Sequence, residues 1–215
     1  MIISHGRRYI FIHIPKTGGT SMALALEARA MKDDIMLGDT PKAVKRRHRV
    51  NGTKTSGRLW KHSRLADIYG LVTQDDVENF FVFTMVRNPW DRLVSYYHWL
   101  KDQSFTHPAV ALAKANDFSG FLNHAETKSS ISGAPYSSYV RDARGAERCA
   151  QFVRLEHLEQ DMKPLESHLG FSMYPFPRSN ASVRKKDYRN SYSEQDAELV
   201  QKLCGEDIRR FEYTF

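Results

Sequence analysis

Tyr9-Ile-Phe-Ile-His-Ile-Pro-Lys-Thr-Gly-Gly-Thr-Ser21 carries an apolar strand pattern straight into a small, hydroxyl-rich turn with one lysine. The pattern predicts a strand, a tight turn and a helix from near Ser21 through Arg29, whose positive N-terminal end faces the turn. Gly18 and Gly19 let backbone N–H groups approach an anion, Thr20 and Ser21 add hydroxyl donors, and Lys16 supplies a mobile charge. The segment is therefore a candidate phosphate cradle, although an ordinary strand–turn–helix junction uses the same residue types. It is not a Walker A loop, because G-x-x-x-x-G-K-[ST] places the lysine directly before the hydroxyl residue, and here the lysine comes before the glycines.

A second segment bears on the choice. Phe80-Phe-Val-Phe-Thr-Met-Val-Arg-Asn-Pro-Trp-Asp-Arg-Leu-Val-Ser-Tyr-Tyr97 opens on a continuous apolar run, the pattern of a strand buried on both faces, which Asn88-Pro89 interrupts. A helix should follow, with Pro89 in its first turn and Trp90, Leu93, Val94 and Tyr97 at i, i+3, i+4, i+7 as the buried stripe. Arg87 closes the strand and Ser95 lies two turns into the helix.

The two segments, in this order, resemble the nucleotide-binding motifs of the sulfotransferases, which use 3′-phosphoadenosine 5′-phosphosulfate (PAPS) and release 3′-phosphoadenosine 5′-phosphate (PAP). The resemblance implies an α/β, three-layer P-loop NTPase-like fold, with a central, mostly parallel sheet flanked by helices. It implies that Pro15, Lys16, Thr17, Gly18, Gly19, Thr20 and Ser21 form the 5′-phosphosulfate loop, with Lys16 also catalytic, and that Arg87 and Ser95 hold the 3′-phosphate. A planar guanidinium donating two parallel hydrogen bonds suits a compact dianion. Arg92 could reach the same phosphate or be a solvated helix-face charge, and Glu27 and Asp91 read as helix-face charges.

Sulfuryl transfer to an alcohol needs a base, and histidine titrates in the right range. Arg58-Leu-Trp-Lys-His-Ser-Arg-Leu-Ala-Asp-Ile68 resembles the Lys-His segment that places a histidine over the donor in carbohydrate-type members, so His62 is the candidate base, ahead of His13 and His98. The family also has a late loop that closes over the nucleotide. By resemblance, Ser182, Arg184 and Lys185 in Phe176–Tyr188 are candidate donors and Tyr188 a possible contact, with plain surface exposure the alternative. No Walker B acid stands at a strand end, and the family's chemistry implies no metal.

Composition agrees. With 215 residues, the chain suits one α/β domain spanning 1–215. It has no apolar run near ~18 residues, which argues against a transmembrane helix, and its first residues are too short in apolar length for a signal peptide. Two cysteines, Cys149 and Cys204, fit a reducing compartment, so a cytoplasmic enzyme is expected. A net charge of +7 calls for an anionic partner. Lys42-Ala-Val-Lys-Arg-Arg-His-Arg49 is read as a solvated loop, an acceptor-recruiting patch or, least, a nucleic-acid contact. Nucleic acid is not the expected partner; a hydroxylated acceptor, such as a saccharide, is.

The remaining chain reads as scaffold: short helices at Val110–Ala115 and Phe118–Ala125, a flexible connection at Ser129–Tyr136, a strand at Gln151–His157, a helix at Asp161–Leu169, and another beginning near Ser193. The aromatic C-terminal segment is expected to pack in a core. A P-loop nucleotide or sugar kinase and a non-catalytic polyanion-binding module remain as alternatives.

Overall fold

The computed structural model describes residues 1–177 and 187–215. Along the chain run β1 (Ile2–Ser4), β2 (Tyr9–Ile12), α1 (Gly19–Ala28), β3 (Ile35–Met36), α2 (Pro41–Arg46), α3 (Gln74–Asn79), β4 (Phe81–Val86) and α4 (Pro89–Lys101). Then follow α5 (Pro108–Ala115), α6 (Phe118–Asn123), α7 (Ala125–Ser132), β5 (Gln151–Arg154), α8 (Leu158–Asp161), α9 (Lys163–Leu169), α10 (Glu194–Leu203) and α11 (Gly205–Phe211). These elements form two compact units, one from residues 1–86 and 136–177, the other from 87–135 and 187–215.

The first unit holds a five-stranded sheet in the order β3-β1-β2-β4-β5. The pairs β2·β4 and β4·β5 are parallel, whereas β1·β2 and β1·β3 are antiparallel. The sheet is therefore mixed rather than mostly parallel as expected. The antiparallel half comes from strands of three and two residues, too short to show periodicity.

Alternation along the strands sends side chains to two cores. Tyr9, Phe11, Phe83, Met85 and Val153 meet Met22 and Leu26 of α1, Met162 between α8 and α9, and Leu165 of α9. On the other face, Ile3, Ile10, Ile12 and Val82 pack with Leu65, Ile68 and Val77 of α3. Burial on both faces explains why the Phe81–Val86 segment reads as an unbroken apolar run.

In the second unit, α4 starts as its sequence dictates. Pro89 lies in the first turn, and the Asn88 side chain caps the helix by accepting from the Trp90 N–H at 3.1 Å. Trp90, Leu93, Val94 and Tyr97 are buried with Val110, Phe118, Phe121, Leu122, Val200 and Ile208. Ser193 caps α10 through the Asp196 N–H. The C-terminal Phe215 ring packs against Trp90 and Tyr192 at 5.6 and 5.4 Å.

Three local expectations are corrected. Ser129–Tyr136 is not a loose connection: α7 continues to Ser132, with Ile131 packed on the second unit's core, in a sequence too polar to reveal a stripe. The Lys42–Arg49 run is not a loop but α2 and a following 3₁₀ turn, Arg47–Val50. Three of its cations are tied down, since Arg46 donates to the Met31 carbonyl at 2.8 Å, Arg49 to the Lys32 carbonyl, and Lys42 Nζ to the Glu27 carbonyl at 2.6 Å. Gln151–His157 is a strand only to Arg154, and residues 155–157 turn as a 3₁₀ helix.

Candidate active site

Because β2 and β4 are parallel, with Ile12 opposite Thr84, both strands end at the same edge of the sheet. The loop from His13 to Gly18 grows from that edge and is closed from within. The Thr17 hydroxyl, fully buried, donates to the Ile14 carbonyl at 2.9 Å, so Thr17 offers an anion its backbone rather than its hydroxyl. Lys16 takes the left-handed conformation at φ +66°, which costs a non-glycine residue about 1–2 kcal/mol. Strain of this kind collects at functional sites.

Gly18, also left-handed at φ +88°, is the N-cap of α1, and a Cβ there would stand 2.8 Å from Leu155 Cδ1. The first turn of α1 leaves backbone N–H groups without intrahelical acceptors and contains no acidic side chain. Thr20 is half-buried and Ser21 buried beside it. These features fit a phosphate group on both geometry and charge.

Gly19 is a glycine for a different reason. A Cβ on it would fall 2.1 Å from Cδ2 and 2.4 Å from Nε2 of His13, so the imidazole occupies the space a side chain would need. Gly19→Ala must displace that ring. It is expected to lower stability by about 1–3 kcal/mol, as overpacking does, and to weaken PAP binding, read by thermal melting and calorimetry. Unchanged melting and affinity would show that the contact constrains nothing.

His13 is the first member of a ladder of rings. The His62 ring meets it edge-on at 4.6 Å, and the Trp60 ring meets His62 at 5.0 Å. His62 Nδ1 lies 2.7 Å from the His13 backbone carbonyl. A carbonyl only accepts, so Nδ1 carries the proton and, in the neutral ring, Nε2 is the basic nitrogen. Burial, the largest cause, pulls His62 down to about 4, with the Lys61 charge acting in the same direction. Burial likewise holds His13 well below the usual histidine range, helped by nearby cations including Lys61 and Lys16. Both imidazoles are thus kept neutral, as a base must be. Neighbouring Lys61 pairs with Asp39 at 2.6 Å.

Arg87 and Ser95 belong to the second unit. Arg87 Nε donates to Asp91 Oδ2 at 2.8 Å, with a second bond from Nη2 to the same oxygen. Asp91 therefore does more than decorate a helix face, because it fixes the direction of the guanidinium. Ser95 is buried on α4, two turns on. His98 and Arg92 are half-buried on the same helix. Tyr188 sits at the helix start, its hydroxyl 3.3 Å from Asn88 Nδ2. Ser182, Arg184 and Lys185 lie outside the described residues.

The structure thus gathers His13, Lys16, Gly18, Gly19, Thr20 and His62 in one unit, and Arg87, Asp91, Ser95 and Tyr188 in the other. Sequence reasoning missed the Arg87–Asp91 pair, although its i, i+4 spacing was a usable signal. It also missed the Asp39–Lys61 pair, which has none.

The mouse sulfotransferase SULT7A1, solved in complex with PAP, is similar to this chain at 15% identity and a TM-score of 0.47, covering 94% of this chain and 83% of that one. No curated protein matches the sequence. The model of the sulfotransferase family Sulfotransfer_2 matches residues 1–214, taking in the Lys16 loop, the His62 segment and the Arg87–Ser95 helix in one span. The chain belongs to the sulfotransferase family.

Proposed function

We propose that this protein moves a sulfuryl group from PAPS to a hydroxyl of an acceptor, a saccharide by preference, through in-line displacement. The 5′-phosphate is held by the backbone and hydroxyl donors of Gly18, Gly19, Thr20 and Ser21 at the start of α1. Lys16 neutralises the charge that builds on the oxygen between phosphorus and sulfur as that bond breaks. His62 takes the acceptor's proton at Nε2 while its Nδ1–H stays bonded to the His13 carbonyl. Arg87, steadied by Asp91, and Ser95 hold the 3′-phosphate.

The observation that carries this reading is the hydrogen bond from His62 to the His13 carbonyl. It fixes the tautomer of a neutral imidazole whose neighbour packs directly on the phosphate loop at Gly19. That loop supplies donors and a lysine with no acid in the adjoining helical turn.

Arg87→Ala tests the nucleotide assignment. Charge-assisted hydrogen bonds contribute about 1.5–3 kcal/mol each, so PAP affinity should fall by about tenfold or more while adenosine 5′-phosphate affinity is nearly unchanged. Calorimetric titration of both nucleotides reads the difference. A variant that still prefers a 3′-phosphate over a 3′-hydroxyl as strongly as wild type removes Arg87 from the site.

A further inference from the structure

Two cavities adjoin in the first unit. The smaller, about 360 Å³, is bordered by His13 and Thr20, and so touches the phosphate loop. The larger, about 650 Å³, is bordered by Arg47, Asn51, Leu59 and Trp60. Both volumes lie in the ~300–1,000 Å³ range of small-molecule sites. They share wall residues from Met36 to Asp39, together with Ala43 and Lys61. The ring ladder follows the same course, because Trp60 borders the larger space, His13 the smaller, and His62 lies between their rings.

The lining has a definite chemistry. Trp60 is 45% exposed, an uncommon state for so large an apolar ring. Its backbone is anchored, since the Trp60 backbone N–H donates to Ser63 Oγ at 2.8 Å and that buried hydroxyl bonds the Arg58 and Trp60 carbonyls in turn, while the Arg58 guanidinium lies 5.5 Å from the ring centre. Around it stand polar groups. Among the described residues Asp39 is the only acid bordering the larger cavity, and Lys61 pairs with it at 2.6 Å. Arg47 also acts on that carboxylate, so the lining carries two cations, Arg47 and Lys61, against one acid and has a net positive charge.

We infer that these adjoining cavities form the acceptor groove, in which Trp60 is the platform for a sugar ring and Arg47 the counter-charge for an anionic group carried by that sugar. A pyranose presents an apolar C–H face and a polar rim, matching an indole bordered by hydrogen-bonding side chains. With a ring on Trp60, one of its hydroxyls comes next to His62, whose ring centre is 5.0 Å from that of the indole. The Asp39–Lys61 pair serves the rim hydroxyls where the two spaces meet. This inference rests on the transfer reading above for its function, while binding can be tested apart from it.

The test is a saturation-transfer NMR titration with an unsulfated disaccharide of glucuronic acid and N-acetylglucosamine, beside uncharged cellobiose, with PAP affinity measured on each sample by calorimetry. Wild type should bind the uronate disaccharide at least fivefold more tightly than cellobiose. Trp60→Ala should weaken both sugars about tenfold, Trp60→Phe should restore part of that, and Arg47→Ala should erase the preference for the uronate. PAP affinity should hold in all three variants, which confirms the fold. The assignment is overturned if wild type binds neither sugar or if Trp60→Ala binds both like wild type, and its anionic part is overturned if Arg47→Ala keeps the preference. Sugar binding without PAP binding would instead sink the phosphosulfate reading and leave the groove standing.

Discussion

Lys16→Ala is expected to lower kcat about 10²–10³-fold, the usual cost of removing one group aimed at developing charge, while PAP affinity falls far less. The separation follows from where the charge is needed. In the proposed transfer, backbone N–H groups at the head of α1 would hold a phosphate in the ground state and in the product, and so would contribute to binding throughout. A lysine ammonium facing the bridging oxygen gains most when that oxygen becomes a leaving group. The left-handed backbone at Lys16, φ +66°, is consistent with a side chain whose direction matters more than local comfort. Single-turnover sulfate transfer and PAP calorimetry on the same variant separate the two quantities. Equal losses in both would make Lys16 a binding residue only, and an unchanged rate would remove it from the mechanism.

His62→Ala should reduce transfer about 10²–10⁴-fold, the contribution of a positioned general base, with PAP affinity near wild type. The pH dependence follows from the burial that pulls His62 to about 4, against an ordinary 6.5. A base works when deprotonated, so without nucleotide the ring is ready at any pH above about 4. Bound PAP brings negative charge, which favours the protonated ring and raises its pKa towards the ordinary value. Binding then takes up a proton between the two values, and PAP affinity should increase as pH falls through that window. An NMR titration of the His62 ring with and without PAP reads both limits. A His62→Ala enzyme of full activity would move the base to His13 or His98, and an unmoved His62 pKa would place the nucleotide elsewhere.

The parts of the fold that were legible are those with long patterns. Tyr9–Ser21 and Phe80–Tyr97 each join a strand to a helix through a residue type that breaks one and starts the other, and the structure forms both junctions. β1 and β3 were invisible because three and two residues carry no period, and without them the antiparallel half of the sheet could not be seen. The Lys42–Arg49 run misled for a different reason. Charge suggested solvent, whereas Lys42, Arg46 and Arg49 are used on carbonyls of Glu27, Met31 and Lys32, an arrangement that only the folded chain brings about.

At the candidate site, residue types were legible and their mutual arrangement was not. His62 could be singled out from Lys61-His62-Ser63, but the bond that fixes its tautomer spans 49 positions. Gly19 looked like a phosphate-loop glycine, and the structure adds that it makes room for the His13 ring. Asp91, taken for a surface charge, holds Arg87.

The most direct measurement is calorimetric titration of the wild-type protein with PAP and with ADP, without magnesium. PAP binding at least tenfold tighter than ADP is the predicted result, because the 3′-phosphate is what Arg87 and Ser95 are assigned to recognise. Equal affinity for the two nucleotides would contradict the account.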